Sequence, residues 1–348
     1  MTDIDVDVLV AGAGPIGLAA AIEARLEGLS VVIVEPRSFP VDKACGEGLM
    51  PGAVAALERL GVKTEGASIA GFRYADERRA TEYRFRGQAG RGVRRTALHD
   101  ALAARADELG VARVDARVGT IEQDARGVSA AGVRASWLLG CDGLHSTVRR
   151  TAGLEQAAKG SASKRRYGLS RHFAMAPWSD LVEVHWGPRA EAYVTPLADD
   201  LVGVAVLGPQ LTSFDETISE IPELARRLVG AQPVGSLRGA GPLLQRATAR
   251  TSGRVLLLGD ASGYVDALTG EGIRVGLGHA RAAIAAISGV DGHPAAVYER
   301  EWRRVSRDFR MLTGGLLAAA QSPVRPLIVP AARALPAAFG AVVERLAR

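Results

Sequence analysis

Two glycine-rich segments, about 245 residues apart, contain residue types that bind phosphates and hydroxyl groups. In the first, Gly12, Gly14 and Gly17 have the spacing of a dinucleotide-binding turn between a strand and a helix. The first glycine allows the tight turn, the second a close approach to a diphosphate, and the third helix–strand packing. Free N–H groups at the helix start favour the phosphates. The predicted dinucleotide contacts are Gly12, Ala13, Gly14, Pro15, Ile16 and Gly17.

An acidic residue follows the next apolar strand, Val31-Val32-Ile33-Val34. Glu35 lies about 20 residues after the glycine turn, where a carboxylate accepts hydrogen bonds from ribose hydroxyls. The adjoining Pro36 and Arg37 are included in the predicted cofactor site. Both NAD and FAD fit this first signature, so it does not decide between them.

The second glycine-rich segment favours a flavin. A buried strand delivers Gly259 and Asp260, where a carboxylate can bind a hydroxyl of a ribityl chain. Gly270 and Gly272 then open a helix whose N-terminus would stabilise negative charge on a reduced flavin ring. Glu271 and Ile273 belong to the same predicted contact. Together, the two segments predict one chain that holds FAD from both ends.

Composition limits the remaining classes of function. With 348 residues, 47% hydrophobic and 23% charged, the chain fits a globular protein of two domains or of one domain with a large insertion. Its net charge of +5 comes from scattered arginines rather than a basic stripe with aromatics, so no nucleic-acid partner is predicted. Cys45 and Cys141 form no metal-ligand spacing or disulfide framework, and no secretory signal is visible. We therefore predict a cytoplasmic protein without a bound metal.

Hydrophobic periodicity predicts an α/β fold with a discontinuous cofactor domain. Continuous apolar strands and intervening helices indicate a Rossmann-type, three-layer FAD-binding domain with a parallel central sheet. Alternating strands indicate an inserted mixed β-sheet that binds substrate, with one helix near 218–229. The predicted ranges are 1–70, 93–165 and 250–294 for the FAD-binding domain, 71–92 and 166–249 for the substrate domain, and 295–348 for C-terminal helices.

Three motifs together resemble those of the para-hydroxybenzoate hydroxylase-like flavoproteins, which include aromatic hydroxylases, halogenases and geranylgeranyl reductases. They are the first glycine turn, Cys141-Asp142-Gly143 continuing to Arg149, and Gly259-Asp260. The resemblance covers most of residues 5–300. It implies that Arg95 contacts FAD, that the backbone of Val118 meets adenine, and that Asp142 and Gly143 help to position FAD and NAD(P)H.

Two stretches, 43–51 and 259–273, are similar to the geranylgeranyl reductase branch, which implies that Ala44, Cys45 and Gly46 lie at the flavin. Cys45 is predicted either to tune the flavin or to act as a small packing residue. The chain departs from that branch in two places. Ala267 replaces a usual proline, and the segment around Tyr193-Val194-Thr195-Pro196 lacks the tryptophan of the reductases' Tyr-x-Trp-x-Phe-Pro pattern. These departures keep the alternative interpretation of a hydroxylase open.

The residues predicted to face substrate are Glu47, His172, His185, Tyr193 and Pro196. The two histidines are candidates for relaying protons near neutral pH, although strand histidines are also commonly exposed or simply hydrogen-bonded. No residue is assigned as a catalytic acid or base. An activated phenol substrate needs only weak assistance.

The leading interpretation is an FAD-dependent monooxygenase of secondary metabolism. The resemblance implies that it uses NAD(P)H and O2 on a lipophilic aromatic or polyketide-like small molecule. The alternatives are a geranylgeranyl or prenyl reductase that saturates C=C bonds, and a flavin-carrying protein without turnover. A plain NAD dehydrogenase leaves the segment Gly259–Gly272 unexplained. A separate flavin reductase is the expected partner if NAD(P)H does not reduce the pure protein. The apolar tail is predicted either to pack over the substrate domain or to contact a membrane surface.

Overall fold

The computed structural model describes residues 5–156, 165–289 and 293–348. The parts of the predicted domains at residues 1–4, 157–164 and 290–292 lie outside this description. The described helices are α1 Pro15–Leu26, α2 Pro51–Arg59, α3 Arg95–Glu108, α4 Thr147–Thr151, α5 Phe214–Ser219, α6 Pro222–Arg227, α7 Gly272–Ser288, α8 Pro294–Ala320, α9 Ile328–Ala334 and α10 Pro336–Ala347.

The described strands form three sheets. They are β1 Val6–Ala11, β2 Val31–Val34, β3 Gly48–Leu49, β4 Ala67–Ile69, β5 Gly71–Ala75, β6 Ala80–Arg84, β7 Gly90–Gly92, β8 Ala112–Val114, β9 Ile121–Gln123, β10 Val128–Ala130, β11 Val133–Gly140, β12 Arg166–Ala174, β13 Leu181–Trp186, β14 Glu191–Ala198, β15 Leu201–Pro209, β16 Gln232–Ala240, β17 Thr251–Ser252 and β18 Val255–Leu257.

The largest sheet has the order β17-β18-β11-β1-β2-β8, and strands β18 through β8 in this order run parallel. Helices α1, α3 and α7 share one hydrophobic core with one face of the sheet. The hairpin β9–β10 and α4 contribute to the core on the other face. The apolar runs of β1 and β2 are buried because both faces are covered. The predicted α/β class with a three-layer, Rossmann-type part is confirmed.

The second sheet is mixed and has the order β16-β12-β15-β14-β13-β5-β6. Only β13 and β5 pair in parallel. Helices α5 and α6 cover one face. We predicted a single helix near 218–229, and that prediction is wrong because Ile221 is extended and Pro222 starts a new helix. A residue before proline avoids the helical region, so the chain breaks there.

A small sheet, β3-β7-β4, lies beside β14 of the mixed sheet. Strand β7 falls within the predicted range 71–92, but it pairs with β3 and β4 rather than with the mixed sheet. The described structure thus contains a third sheet, beside the mixed one, that was not predicted. The domain boundaries themselves stay a prediction.

The C-terminal helices contact the mixed sheet. Arg325 donates hydrogen bonds to the carbonyl oxygens of Gly187 and Ala190 at 2.9 Å each, and Tyr83 on β6 donates to Glu344 on α10 at 3.1 Å. Within the described ranges, no single helix has both the length and the apolar composition to cross a membrane. Only one pair, Arg325–Ala334 with Pro336–Ala347, meets that test when counted together, and it is bent by 102°.

Candidate functional site

The first glycine turn is built by close backbone contacts. Gly12 has a φ of +101°, and a Cβ atom there would lie 2.8 Å from the carbonyl oxygen of Cys141. A Cβ atom at Gly17 would lie 1.8 Å from the carbonyl oxygen of Gly12. At Gly14, by contrast, no described atom lies within 4 Å of the Cβ position. Two glycines therefore close the turn, and the third leaves open space beside the start of α1, where Pro15 is the first residue.

Glu35 points back toward this turn. Its carboxylate accepts hydrogen bonds from the N–H of Ala13 at 3.0 Å and from Nε of Arg37 at 2.6 Å. Burial favours the neutral acid, but these hydrogen bonds outweigh it and lower the pKa of Glu35. The neighbouring Pro36 is exposed. A negative charge is therefore fixed next to the glycine turn, as the prediction of a ribose contact requires.

The second glycine segment meets the first in space. Strand β18 pairs with β11, which pairs with β1, so Gly259 and Gly12 follow parallel strands with only β11 between them. Gly259 has a φ of +55°, and its Cβ position lies 3.2 Å from Cγ1 of Ile16. The chain brings these two distant turns into contact, as the sequence predicted.

Asp260 is buried within the electrostatic influence of three cations. Burial raises the pKa of Asp260, while Arg95, Lys43 and Arg149 act in the opposite direction. Nζ of Lys43 lies 3.5 Å from the Cβ position of Gly143. This cluster joins residues from four separate segments at the carboxyl ends of the parallel strands, where open α/β sheets bind ligands.

Polar atoms in this cradle remain without partners. Asp142 caps α4, because one of its carboxylate oxygens accepts from the N–H groups of Thr147 at 2.7 Å and Val148 at 3.0 Å. Its other oxygen and Nε of Arg95 are buried and have no hydrogen-bond partner in the described part of the chain. Buried polar atoms are normally satisfied, so they indicate ligand contacts. Together with the open space at Gly14, they fit a ligand that carries phosphates and hydroxyls, as FAD does.

The loop from Ala44 to Glu47 joins this cradle to the mixed sheet. Glu47, at a φ of +58°, accepts a hydrogen bond from the N–H of Arg95 at 2.8 Å, and its other oxygen lies 2.6 Å from Nε2 of His172. Sγ of Cys45 accepts from the N–H of Glu47 at 3.4 Å, and Thr195 donates to the carbonyl of Gly46 at 2.8 Å. At this loop, residues predicted to contact the cofactor thus lie next to residues predicted to face the substrate.

The remaining predicted substrate residues lie on two faces of the mixed sheet. The hydroxyl of Tyr193 donates to the carbonyl of Leu268 at 3.1 Å, on the face that meets the second glycine segment. His185 lies opposite Ala192 and bonds to Glu183 at 2.8 Å, and alternation places Pro196 on that same side. This side is covered by α5 and α6. The geometry therefore corrects the predicted grouping: His185 and Pro196 are separated from Tyr193.

The other predicted residues occupy supporting positions. Val118 is buried in the core that contains Val34, and Gly270 has a φ of +70°. Glu271 is buried before the first turn of α7, and burial raises its pKa to about 7 even though Arg274 lies 2.5 Å away. Ile273 packs against the core beneath α7. Direct contact of these residues with a cofactor stays a prediction.

Two buried histidines were missed by the sequence analysis. His99 on α3 lies with Nε2 2.9 Å from the carbonyl oxygen of Ala13, and burial lowers its pKa. His279 on α7 accepts the N–H of Gly259 at Nδ1 over 3.2 Å, and its Nε2 lies 2.8 Å from Oγ of Ser306. Burial lowers the pKa of His279 to about 3. Each histidine supports one glycine turn, and its only sequence signal was a polar residue on the apolar face of a helix.

Arg149 was also missed as a site residue, although it belongs to the motif that follows Asp142. Its side chain is fully buried and donates to the carbonyl oxygens of Leu144 at 2.8 Å and Ala261 at 3.1 Å. It therefore ties the loop after β11 to the loop after β18. An arginine inside a recognised motif was the signal available.

Comparisons with known proteins agree with this geometry. The FAD binding domain family matches residues 5–290. Menaquinone reductase from Mycolicibacterium smegmatis is 31% identical over 305 residues, covering 78% of this chain and 73% of the relative. Digeranylgeranylglycerophospholipid reductase 1 from Methanothermobacter thermautotrophicus is 27% identical, covering 87% and 83%.

Among solved structures, OxyS anhydrotetracycline hydroxylase from Streptomyces rimosus has a TM-score of 0.73 at 24% identity, covering 98% of this chain and 75% of that one. This likeness concerns the fold. The family match extends over most of the chain. It includes both glycine segments and leaves out the C-terminal tail. The chain therefore belongs to the FAD binding domain family of para-hydroxybenzoate hydroxylase-like flavoproteins and is a flavin-dependent oxidoreductase.

Proposed function

We propose that this protein is an FAD-dependent monooxygenase that uses NAD(P)H and O2 on a lipophilic aromatic small molecule. The observation that carries this proposal is the pair of Glu47 and His172, joined over 2.6 Å where the cofactor loop meets the mixed sheet. A phenol is activated by losing its proton, and a carboxylate-backed imidazole is a suitable acceptor.

The protein's own residues would hold the cofactor and orient the groups that act on the substrate. Bound FAD supplies the electron transfer and oxygen activation. Asp260, Asp142 and Arg95 would bind its polar atoms, while Glu35 would bind the ribose. Glu47 is anchored by the N–H of Arg95, so it fixes the orientation of the imidazole of His172.

The lipophilic character of the substrate is supported by the sheet face that meets the second glycine segment. On this face Val184, Trp186, Tyr193 and Leu207 belong to a buried apolar and aromatic cluster, which also contains Leu243 and Leu268 from loops and Ala320 and Val329 from the C-terminal helices. Ligand sites are lined mainly by such side chains, with a few polar groups that fix orientation. The apolar part of this lining suits a lipophilic aromatic molecule, while the buried ion pair of Arg166 and Glu191 supplies polar groups that can fix its orientation.

The second candidate is a reductase of C=C bonds, which the names of two relatives favour, menaquinone reductase and digeranylgeranylglycerophospholipid reductase. Such a reaction adds a hydride to one carbon and a proton to the other. The thiol of Cys45, in the loop that joins the cradle to the mixed sheet, is the proposed donor of this proton, and burial raises its pKa and so disfavours the thiolate. For either candidate we propose a cytoplasmic location and direct use of NAD(P)H, with a separate flavin reductase as the alternative source of electrons.

One experiment separates the candidates. Purified holoprotein is mixed with NAD(P)H and a panel of long-chain phenols and prenylated lipids, with and without O2, and O2 uptake and products are measured. The monooxygenase proposal predicts phenol-dependent O2 uptake that falls in His172→Gln and survives in Cys45→Ala. Product formation without O2, lost in Cys45→Ala, would instead establish the reductase.

A further inference from the structure

A cleft of about 1050 Å³ lies where α2, α7, α8 and α10 approach one another. Each helix contributes residues spaced three or four apart, and on α2 these are Gly52, Ala55, Ala56 and Arg59. Residues at this spacing share one helix face, and their small side chains leave the space between the helices unfilled. The volume is at the upper end of that of small-molecule sites.

The lining is strongly basic. Seven of its eighteen residues are arginine, whereas lysine and arginine together make up 43 of the 348 residues of the chain. The acidic side chains of this lining are those of Asp308 and Glu344. The concentration of guanidinium groups therefore exceeds the arginine-rich background of the sequence. The seven are Arg59, Arg86, Arg274, Arg281, Arg304, Arg345 and Arg348.

Among the described residues, carboxylates pair with four of the seven arginines, so part of this cluster remains without an acidic partner. Arg59 pairs with Glu23 at 2.6 Å, Arg304 with Glu301 at 2.9 Å, and Arg345 with Asp308 at 2.7 Å. For Arg281 and Arg348, no acidic side chain lies within 4.0 Å in the ranges that the structure describes. Cations gathered around one cavity raise its positive potential, which attracts an anion of matching size.

We propose that this cleft binds a phosphate-bearing anion, a diphosphate or a phosphate ester. Guanidinium groups bind phosphate oxygens through two parallel hydrogen bonds, so several arginines around one space suit this ligand class better than a single carboxylate. The small apolar residues of α2 and α10 leave room for a carbon chain attached to the phosphate. None of the predicted FAD contacts lines the cleft, so this is a site separate from the cofactor cradle.

Arg274 connects the two sites. It lines the cleft and also pairs with Glu271, just before α7. A bound anion competes with Glu271 for this guanidinium and thereby alters the charge at the helix end that faces the flavin. This connection rests on the proposed cofactor site, whereas anion binding in the cleft does not.

The test measures anion binding by the holoprotein in two ways. Inorganic pyrophosphate is titrated calorimetrically, and vesicles of phosphatidylglycerol are compared with vesicles of phosphatidylcholine by co-sedimentation. The double variant Arg281→Gln/Arg304→Gln removes two exposed cations from the cleft. Arg300→Gln is the matched control, because Arg300 is an exposed arginine of α8 outside the lining. We expect binding to weaken about ten-fold or more in the double variant, and to be unchanged in the control.

The two assays also identify the source of the phosphate. Saturable pyrophosphate binding that depends on Arg281 and Arg304 supports a free phosphate compound. Binding only to phosphatidylglycerol vesicles, with the same dependence, supports a lipid headgroup. The proposal is overturned if neither probe binds, or if the double variant and the Arg300→Gln control bind equally. Retained flavin and an unchanged melting temperature in the double variant would show that a loss of binding does not come from unfolding.

Discussion

The two glycine segments meet in space, but the protein holds them in different ways. The turn at Gly12–Gly17 is closed by backbone atoms in close approach, such as Gly17 against Gly12, in addition to the hydrogen bonds that Glu35 and His99 make to Ala13. The turn at Gly259 is fixed by side chains that come from elsewhere. His279 accepts its N–H, and Arg149 binds the carbonyl of Ala261.

This difference predicts how each turn fails. A backbone-packed turn has no room for an added methyl group, so gaining a side chain breaks it. A turn held by side chains tolerates nearby changes but loses its support when one distant residue is removed, and the buried polar groups left behind are costly. Adding atoms at the first turn and deleting them at the second are therefore the matched tests.

The largest effect is expected for Gly17→Ala. Its Cβ would lie 1.8 Å from the carbonyl oxygen of Gly12, and neither backbone segment can move without disturbing β1 or α1. We expect unfolding to become easier by about 3 kcal/mol or more, because overpacking a tight core forces the backbone to shift. Thermal unfolding and the flavin content of the purified protein measure the effect.

Gly14→Ala is the control for this prediction. Gly14 has a φ of −68°, which any residue adopts, and nothing described lies within 4 Å of its Cβ position. We expect this variant to fold with nearly normal stability but to bind FAD more weakly, because the methyl group enters the space proposed for the diphosphate. Equal stability losses in the two variants would contradict the distinction between closing and ligand-facing glycines.

The next effect is expected for His279→Ala at the second turn. The change leaves the N–H of Gly259 and the hydroxyl of Ser306 without their partner in a buried place, and it opens a cavity beside Trp302. We expect a loss of about 2 kcal/mol, together with faster loss of flavin on desalting. In His279→Asn the amide oxygen can replace Nδ1 as acceptor, so part of the loss should be recovered. No difference between Ala and Asn would rule out the support proposed for Gly259.

These two turns also show what the sequence can predict. The apolar run of β2 and the start of α7 at Gly272 were predicted correctly, because hydrophobic periodicity and glycine spacing are local properties. The support of Gly259 was not predicted. His279 lies 20 residues from Gly259 along the chain, and nothing in the sequence near either residue indicates that they meet.

The sheet faces on which the substrate candidates lie were not predicted, for a related reason. Alternation within β13 and β14 correctly separates their residues into two sets, but it does not say which set faces the cofactor domain. Helices α5 and α6 cover the face of His185, and that choice depends on tertiary packing. Glu47 and His172 were each named separately, and only the fold shows that they form a pair.

A smaller effect is expected when the two carboxylates are neutralised. Asp260→Asn and Glu35→Gln keep the shape of each side chain and remove its charge. We expect each to weaken FAD binding about ten-fold, since a hydrogen bond to a charged acceptor is stronger than one to a neutral amide. Glu35→Gln should also discriminate less between FAD and FMN, because only FAD carries the adenosine that Glu35 would bind. Unchanged FAD content after desalting in Asp260→Asn would contradict its place in the cradle.

The smallest expected effect is a dependence of stability on pH through His279. Its pKa is lowered to about 3 in the folded protein, whereas an exposed histidine has a pKa near 6.5. Below pH 6.5 the unfolded chain therefore binds a proton at this histidine that the folded protein does not bind, and the free energy of unfolding falls as the pH falls. Between pH 7 and pH 6 this amounts to about 1 kcal/mol or less.

The measurement compares the wild type with His279→Asn, which cannot titrate at this position. The difference in their free energies of unfolding should shrink as the pH falls from 7 to 5. Glu271, whose pKa is raised to about 7, contributes in the opposite direction. The stability that its protonated form provides is lost as the pH rises from the pKa that it has in the unfolded chain toward 7. Both proteins contain Glu271, so its effect cancels. A constant difference across this range would mean that His279 titrates normally in the fold, and that the second turn is less tightly closed by side chains than its hydrogen bonds indicate.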